Sequence, residues 1–90
     1  MQVFVETKEV EKEGLLALLG QNVEIWCGVY IYAGKLVGVN TTCIKLQNAH
    51  VVYETGALND KKFKDAQKIN AESHYIMTHA IESFNVTAKL

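Results

Sequence analysis

Between Tyr30 and Tyr53 apolar and polar residues alternate along two runs, and the first run carries two glycines, Gly34 and Gly38. Alternation with a period of two is the mark of a strand with one face turned to a core. The β-branched and aromatic residues of these runs fit that reading. A glycine inside a strand marks a bend, a bulge or a close backbone approach. Two of them so near each other predict a sheet that bends sharply there. The pattern predicts strands over Val23–Cys27, Tyr30–Val39 and Thr42–Tyr53, with Asn40-Thr41 as a tight turn between the last two. Tyr75–Met77 and Ile81–Val86 read as two more, joined around Thr78-His79.

The remaining segments are polar or short. Residues 54–73 form a lysine-rich excursion. Asn59 suits an N-cap, Asp60 suits a first helical turn, and Phe63, Ala66 and Ile69 recur every three residues, which predicts a short helix near 60–69. At the start, Gln2–Val5 reads as a short strand. Leu15, Leu18 and Leu19 share a helical face that Val10 extends, and Gly20 suits a left-handed C-cap. A short helix over 8–19 is predicted, its leucine face packed on the sheet, although Gly14 weakens it. The fold expected is mainly β, a single domain over 1–90. Its form is a five-stranded, strongly bent antiparallel barrel with a short N-terminal α-helix. An open meander, with one glycine serving as a turn residue, is the alternative.

Ninety residues suit one domain. Such a chain buries only roughly 60–65% of its unfolded surface, so association helps it. Net charge is −1 and all nine basic residues are lysines. The lack of arginine argues against a strong nucleic-acid surface, because lysine cannot make bidentate contacts to phosphate or guanine. A weak patch repeated by symmetry on an oligomer is still compatible. Cys27 and Cys43 fall inside predicted strands without CxxC spacing. They fit either one disulfide or two thiols in a reducing compartment, and the second suits the cytoplasmic location expected here. No signal-peptide pattern and no apolar run of membrane-spanning length is evident. Asn40-Thr41-Thr42 and Asn85-Val86-Thr87 match the glycosylation sequon, by chance in a cytoplasmic protein. There is no catalytic Ser/His/Asp order, phosphate loop or metal-ligand spacing, so no enzyme, cofactor or metal is expected. A Cys43–His79 dyad is the one enzymatic alternative.

The order of these elements resembles the Sm-like family, which includes Sm, LSm and Hfq proteins. The resemblance rests on Val23-Glu24-Ile25, Gly34-Lys35-Leu36, Asn40-Thr41-Thr42-Cys43 and Ile44–Ala49, followed by Tyr75–Phe84. The run His79-Ala80-Ile81 is similar to the segment that closes the Hfq barrel beside its RNA-binding pore. The stretch from Gly20 to Ala49, with Gly56-Ala57, also resembles a small Sm-like group from phages and marine metagenomes. The resemblance implies a homo-oligomer, a closed ring of roughly five to seven subunits, and single-stranded RNA as the ligand. It departs from the family where Sm proteins read uridine: Asn40 stands at the aspartate position, and the asparagine position falls near Thr42 or Cys43. Thr78-His79 replaces the arginine-glycine of the second Sm motif, and Thr78 the lysine of Hfq.

The candidate RNA-binding residues are accordingly His79, Thr78, Asn40, Thr42, Tyr32, Lys61, Lys62 and Lys64. Each has a plain structural reading beside it. His79 also suits a strand bend, and Asn40 and Thr42 are ordinary turn formers. Tyr32, with Tyr30 and Trp26, stacks bases or packs a sheet, and the lysines, interspersed with Asp60 and Asp65, also suit a solvated helix face. An open barrel leaves two edges, and the last two strands lack lysine and proline, the usual edge protections. Tyr75, Ile76, Met77, Ile81 and Phe84 are therefore predicted at the subunit interface. A ring serving as a phage structural or protein-interaction module, without nucleic acid, is the second functional reading.

Overall fold

The computed structural model describes residues 13–90. The predicted strand at Gln2–Val5 and the first part of the predicted helix, with Val10, lie outside the described residues. Six antiparallel strands make up the sheet: β1 (Asn22–Cys27), β2 (Ile31–Val39), β3 (Cys43–Glu54), β4 (Asp65–Lys68), β5 (Ser73–Met77) and β6 (Ile81–Val86). Their order across the sheet is β4-β3-β2-β1-β6, with β5 paired to β3 beside β4.

The fold is mainly β as expected, but its sheet is open, and among the described residues it has six strands rather than five. The extra strand comes from the segment predicted as a helix near 60–69. β3 is twelve residues long, and β5 pairs only its first part, Cys43–Gln47. The edge beyond would be left without partners. Asp65–Lys68 fills it by pairing His50–Glu54, so edge pairing outweighs the three-residue periodicity of Phe63, Ala66 and Ile69. β4 and β5 thus run along β3 as one interrupted strand.

The bend lies where the glycines predicted it. Ala33 pairs with His50 and Lys35 with Gln47, so β3 carries one extra residue opposite Gly34. Asn48 takes up that bulge with φ of 52°. The strands approach so closely that a Cβ at position 34 would lie 3.0 Å from the Gln47 carbonyl oxygen and 3.1 Å from the Ala49 Cα. A second register shift falls between Leu36 and Gly38, this time with the extra residue on β2.

The concave face holds the core. Val23, Ile25, Leu36, Ile44, Leu46, Ala49 and Ile76 are buried together, and Leu15, Leu18, Tyr32, Ile81 and Phe84 pack against them. Each fully buried Leu, Ile or Val contributes about 1.5–3 kcal/mol relative to exposure. On the opposite face Trp26, Ile31, Val52 and Ala66 pair in a row across β1 to β4.

Among the described residues the predicted α-helix is a single 3-10 turn, Leu15–Leu18. Gly14, at φ 83° and ψ −173°, precedes it in a conformation no helix passes through. A continuous helix over 8–19 is therefore interrupted at Gly14. The leucine face does pack on the sheet through Leu15 and Leu18, while Leu16 and Leu19 are exposed. Hydrogen bonds from Gly20 N to the Leu36 carbonyl (2.7 Å) and from Leu36 N to the Gln21 carbonyl (3.0 Å) anchor this turn to β2.

Candidate functional site

The β2–β3 turn is organised by one side chain. Asn40 Oδ1 accepts hydrogen bonds from Thr42 N (2.8 Å), Thr42 Oγ1 (2.9 Å) and Cys43 N (2.8 Å). Asn40 N donates to the Cys43 carbonyl at 3.0 Å, which closes the turn. An Asx side chain that mimics a backbone turn in this way is the reason Asn suits the position. Its oxygen is committed to its own turn, so the amide NH2 is the part that can address a ligand.

A second turn docks on the first. Thr78–Ala80 forms a 3-10 turn between β5 and β6. Thr78 N donates to the Thr42 carbonyl at 2.9 Å, and Thr78 Oγ1 donates to the Thr41 carbonyl at 2.8 Å. Asn40, Thr42, Thr78 and His79 are thereby gathered at one end of the sheet, although they come from two segments far apart in sequence. His79 is exposed.

Beside this end lies a cleft of about 440 Å³ between the β1–β2 hairpin and β5, lined by Cys27, Tyr30, Tyr32, His74, Met77 and His79 among others. The Tyr32 and His74 rings lie 5.0 Å apart at 34°, and Tyr30 and Tyr32 lie 6.2 Å apart at 54°. Three tilted rings in a row, half open to solvent, make a surface on which a flat ligand can stack. Burial pushes the Tyr32 phenol above its ordinary pKa, helped by the neighbouring Cys27 and Tyr30 groups. Burial likewise raises the Cys27 thiol, with the Glu82 carboxylate adding to it. Both groups are neutral hydrogen-bonding partners at neutral pH. A thiol held protonated is a poor nucleophile.

His74 was not singled out from the sequence. Its signal was present: it stands two positions before Ile76, so the same alternation that turns Ile76 into the core turns His74 to that face, opposite Leu46.

The lysines do not join this end. Lys61, Lys62 and Lys64 are exposed in the loop before β4, and Lys64 Nζ sits 3.7 Å from Glu54 Oε1, at the far end of β3. The turn carrying Asn40 adjoins the near end. Twelve strand residues separate the two ends, about 36 Å if straight.

The five predicted interface residues divide by exposure. Tyr75 and Met77 are 58% and 48% exposed on the edge strand β5. Ile76 is 5% exposed in the core of its own sheet, and Ile81 and Phe84 pack against that core. Within β5 strand alternation requires this split, because neighbours along a strand face opposite ways. In β6 the register shift between Trp26 and Cys27 lets Ile81 and Phe84, three apart, share the core side. The Ile76 side chain is thus spent inside the subunit.

Cys27 and Cys43 are both free thiols. Among the described residues no three His, Cys, Asp or Glu side chains gather as metal ligands, and no helix is long and apolar enough to cross a membrane. No protein-family model matches the chain, and no curated protein matches it.

Proposed function

We propose that this protein is a ring-forming Sm-like subunit, built on a strongly bent small barrel, that binds single-stranded RNA at the end carrying Asn40, Thr42, Thr78 and His79. One observation carries the reading. β5 and β6 follow each other with only Thr78–Ala80 between them, yet they pair with β3 and β1 and stand at opposite edges of the sheet. Each therefore keeps an outer edge for a neighbouring copy, and β5 of one copy facing β6 of the next is a head-to-tail contact of the kind that closes into rings. The docking of the two turns supports the RNA part, because it brings donors of the base-edge type beside an aromatic cleft. Stacking there is worth about 1–3 kcal/mol per base. A cytoplasmic protein, phage-encoded or not, goes with this reading.

The test has two readouts. Sedimentation velocity reports whether the subunit assembles, and fluorescence anisotropy with uridine-rich and adenine-rich oligomers reports RNA binding at low and moderate salt. A closed oligomer that binds at least one oligomer is expected. A monomer at all concentrations removes the ring, and no binding at roughly tens of micromolar subunit removes the RNA.

A second reading, a structural or protein-interaction ring without nucleic acid, is favoured by two facts. Asn40 Oδ1 is consumed by its own turn, and the lysines lie at the other end of β3. An assembled ring that ignores both oligomers supports it.

A further inference from the structure

At the lysine-bearing end a second cleft, of about 460 Å³, lies between β3, the loop before β4 and the chain near Lys89. His50, Lys62, Phe63, Lys64, Asp65 and Lys89 are among its walls. Its cations are unequal. Lys64 is opposed by Glu54, and both are well exposed. Lys62 and Lys89 have no carboxylate within ion-pair distance among the described residues. Asp60, the acid of the adjoining loop, has its Oδ2 committed to Ala57 N at 3.0 Å. Asp65 lines the cleft and offsets one charge.

Lys89 is held in place by uncharged partners. Its Nζ donates to the Ala57 carbonyl at 3.2 Å and lies 5.3 Å from the centre of the half-buried Phe63 ring. A cation–π contact and one carbonyl orient the ammonium without neutralising it. His50 Nδ1 lies 2.9 Å from the Asn48 carbonyl oxygen, which can only accept, so Nδ1 carries the proton there. The lysines supply the fixed positive charge of the site.

We infer that this cleft is an anion site whose ligand is the phosphodiester backbone of a single-stranded nucleic acid, gripped by Lys62 and Lys89 against the Phe63 wall. The inference rests on the RNA reading only for the identity of the anion. It adds a sequence-independent grip on the strand, remote from the Asn40–His79 end, because phosphate contacts position a strand and carry no base information.

The probe is a fluorescein-labelled abasic phosphodiester strand of about twelve units, a length that one small barrel can cover. It offers phosphates and no bases. Anisotropy is followed between about 50 and 200 mM salt. The wild-type protein binds the strand, and Lys62→Gln/Lys89→Gln flattens the dependence of log K on log salt by about 1.4, two single-strand phosphate contacts. Lys62→Gln alone, at an exposed position, flattens it by about half as much. Lys35→Gln, an equal loss of charge on β2, leaves it as in wild type. Abasic binding kept in His79→Ala supports the site whatever the other end does. RNA bound while the abasic strand is ignored overturns it and leaves the His79 end standing. Equal salt slopes in wild type and the double variant overturn it too, as does tighter binding of polyglutamate, which would mark an acidic protein partner.

Discussion

Thr78 Oγ1 donates to the Thr41 carbonyl at 2.8 Å, across 37 positions of sequence. With the Thr78 N–H bonded to the Thr42 carbonyl, it fastens the turn between β5 and β6 to the turn between β2 and β3. Thr78→Val keeps the shape and removes the side-chain donor. Unfolding in urea is expected to show a loss of about 1 kcal/mol. On the proposed RNA reading affinity should fall, because the turn carrying His79 keeps only its backbone bond to the turn carrying Asn40. An unchanged urea midpoint together with unchanged affinity would show that this bond positions nothing.

Gly34 faces backbone on the neighbouring strand, not the end of a flexible side chain. Gly34→Ala puts a methyl against the Gln47 oxygen and the Ala49 Cα, and neither can retreat without shifting β3. A loss of about 1–3 kcal/mol is expected in chemical denaturation. At Gly38 the nearest atom is the Lys45 Cβ at 3.3 Å, so Gly38→Ala should cost less. The reverse ranking would place the sharp bend at the wrong glycine.

Asn40 serves its turn through a single oxygen. Asn40→Asp keeps an acceptor for the Thr42 and Cys43 donors, whereas Asn40→Ala leaves them without it. Thermal unfolding should place the Asp variant close to wild type and the Ala variant about 1–2 kcal/mol below it. Equal loss in both would mean that the turn needs the amide NH2 as well.

Tyr75 and Met77 are the exposed large side chains of β5. Lysine on an edge strand opposes pairing with another chain. If the proposed ring forms, Tyr75→Lys/Met77→Lys should lower the sedimentation coefficient to that of a monomer while leaving the far-UV circular dichroism unchanged. Assembly that survives this variant would place the contact between copies elsewhere.

The raised Cys27 and Tyr32 groups predict a stability loss in base. Each is an acid whose neutral form the fold favours, through burial first. The native state therefore holds protons that the unfolded chain gives up, and stability falls as pH rises. The urea midpoint should be level below the ordinary thiol value of 9.0 and decline as pH rises through it, with Tyr32 adding to the decline beyond 10.0. Cys27→Ala should remove the first part of that decline. A decline of the same onset and depth in Cys27→Ala would assign it to other groups.

Much of the strand layout was legible. Alternation located Asn22–Cys27, Ile31–Val39, Cys43–Glu54 and Ile81–Val86 to within a residue at each end. Gly34 and Gly38 marked both register shifts of the β2–β3 pair. The candidate site was legible in part. Asn40, Thr42, Thr78 and His79 were named from sequence; Thr78 bonds join the two turns that carry them, and Tyr32 and His79 line the adjoining cleft. His74 went unseen because a half-buried histidine in an alternating strand looks like any inward residue. Whether Lys61, Lys62 and Lys64 join that end was not legible, since the sequence says nothing about which half of β3 a loop reaches.

By itself the sequence determined which residues share a face, where a strand must bend and which side chain closes the turn at Asn40. These follow from local periodicity, from the missing Cβ at position 34 and from an amide two and three residues from the donors it serves. Only the tertiary structure decided that Asp65–Lys68 is a strand and that the lysines stand apart from His79. Those outcomes depend on the unpaired length of β3 beyond Gln47. That length exists only once β5 has paired, so no window of neighbouring residues contains it.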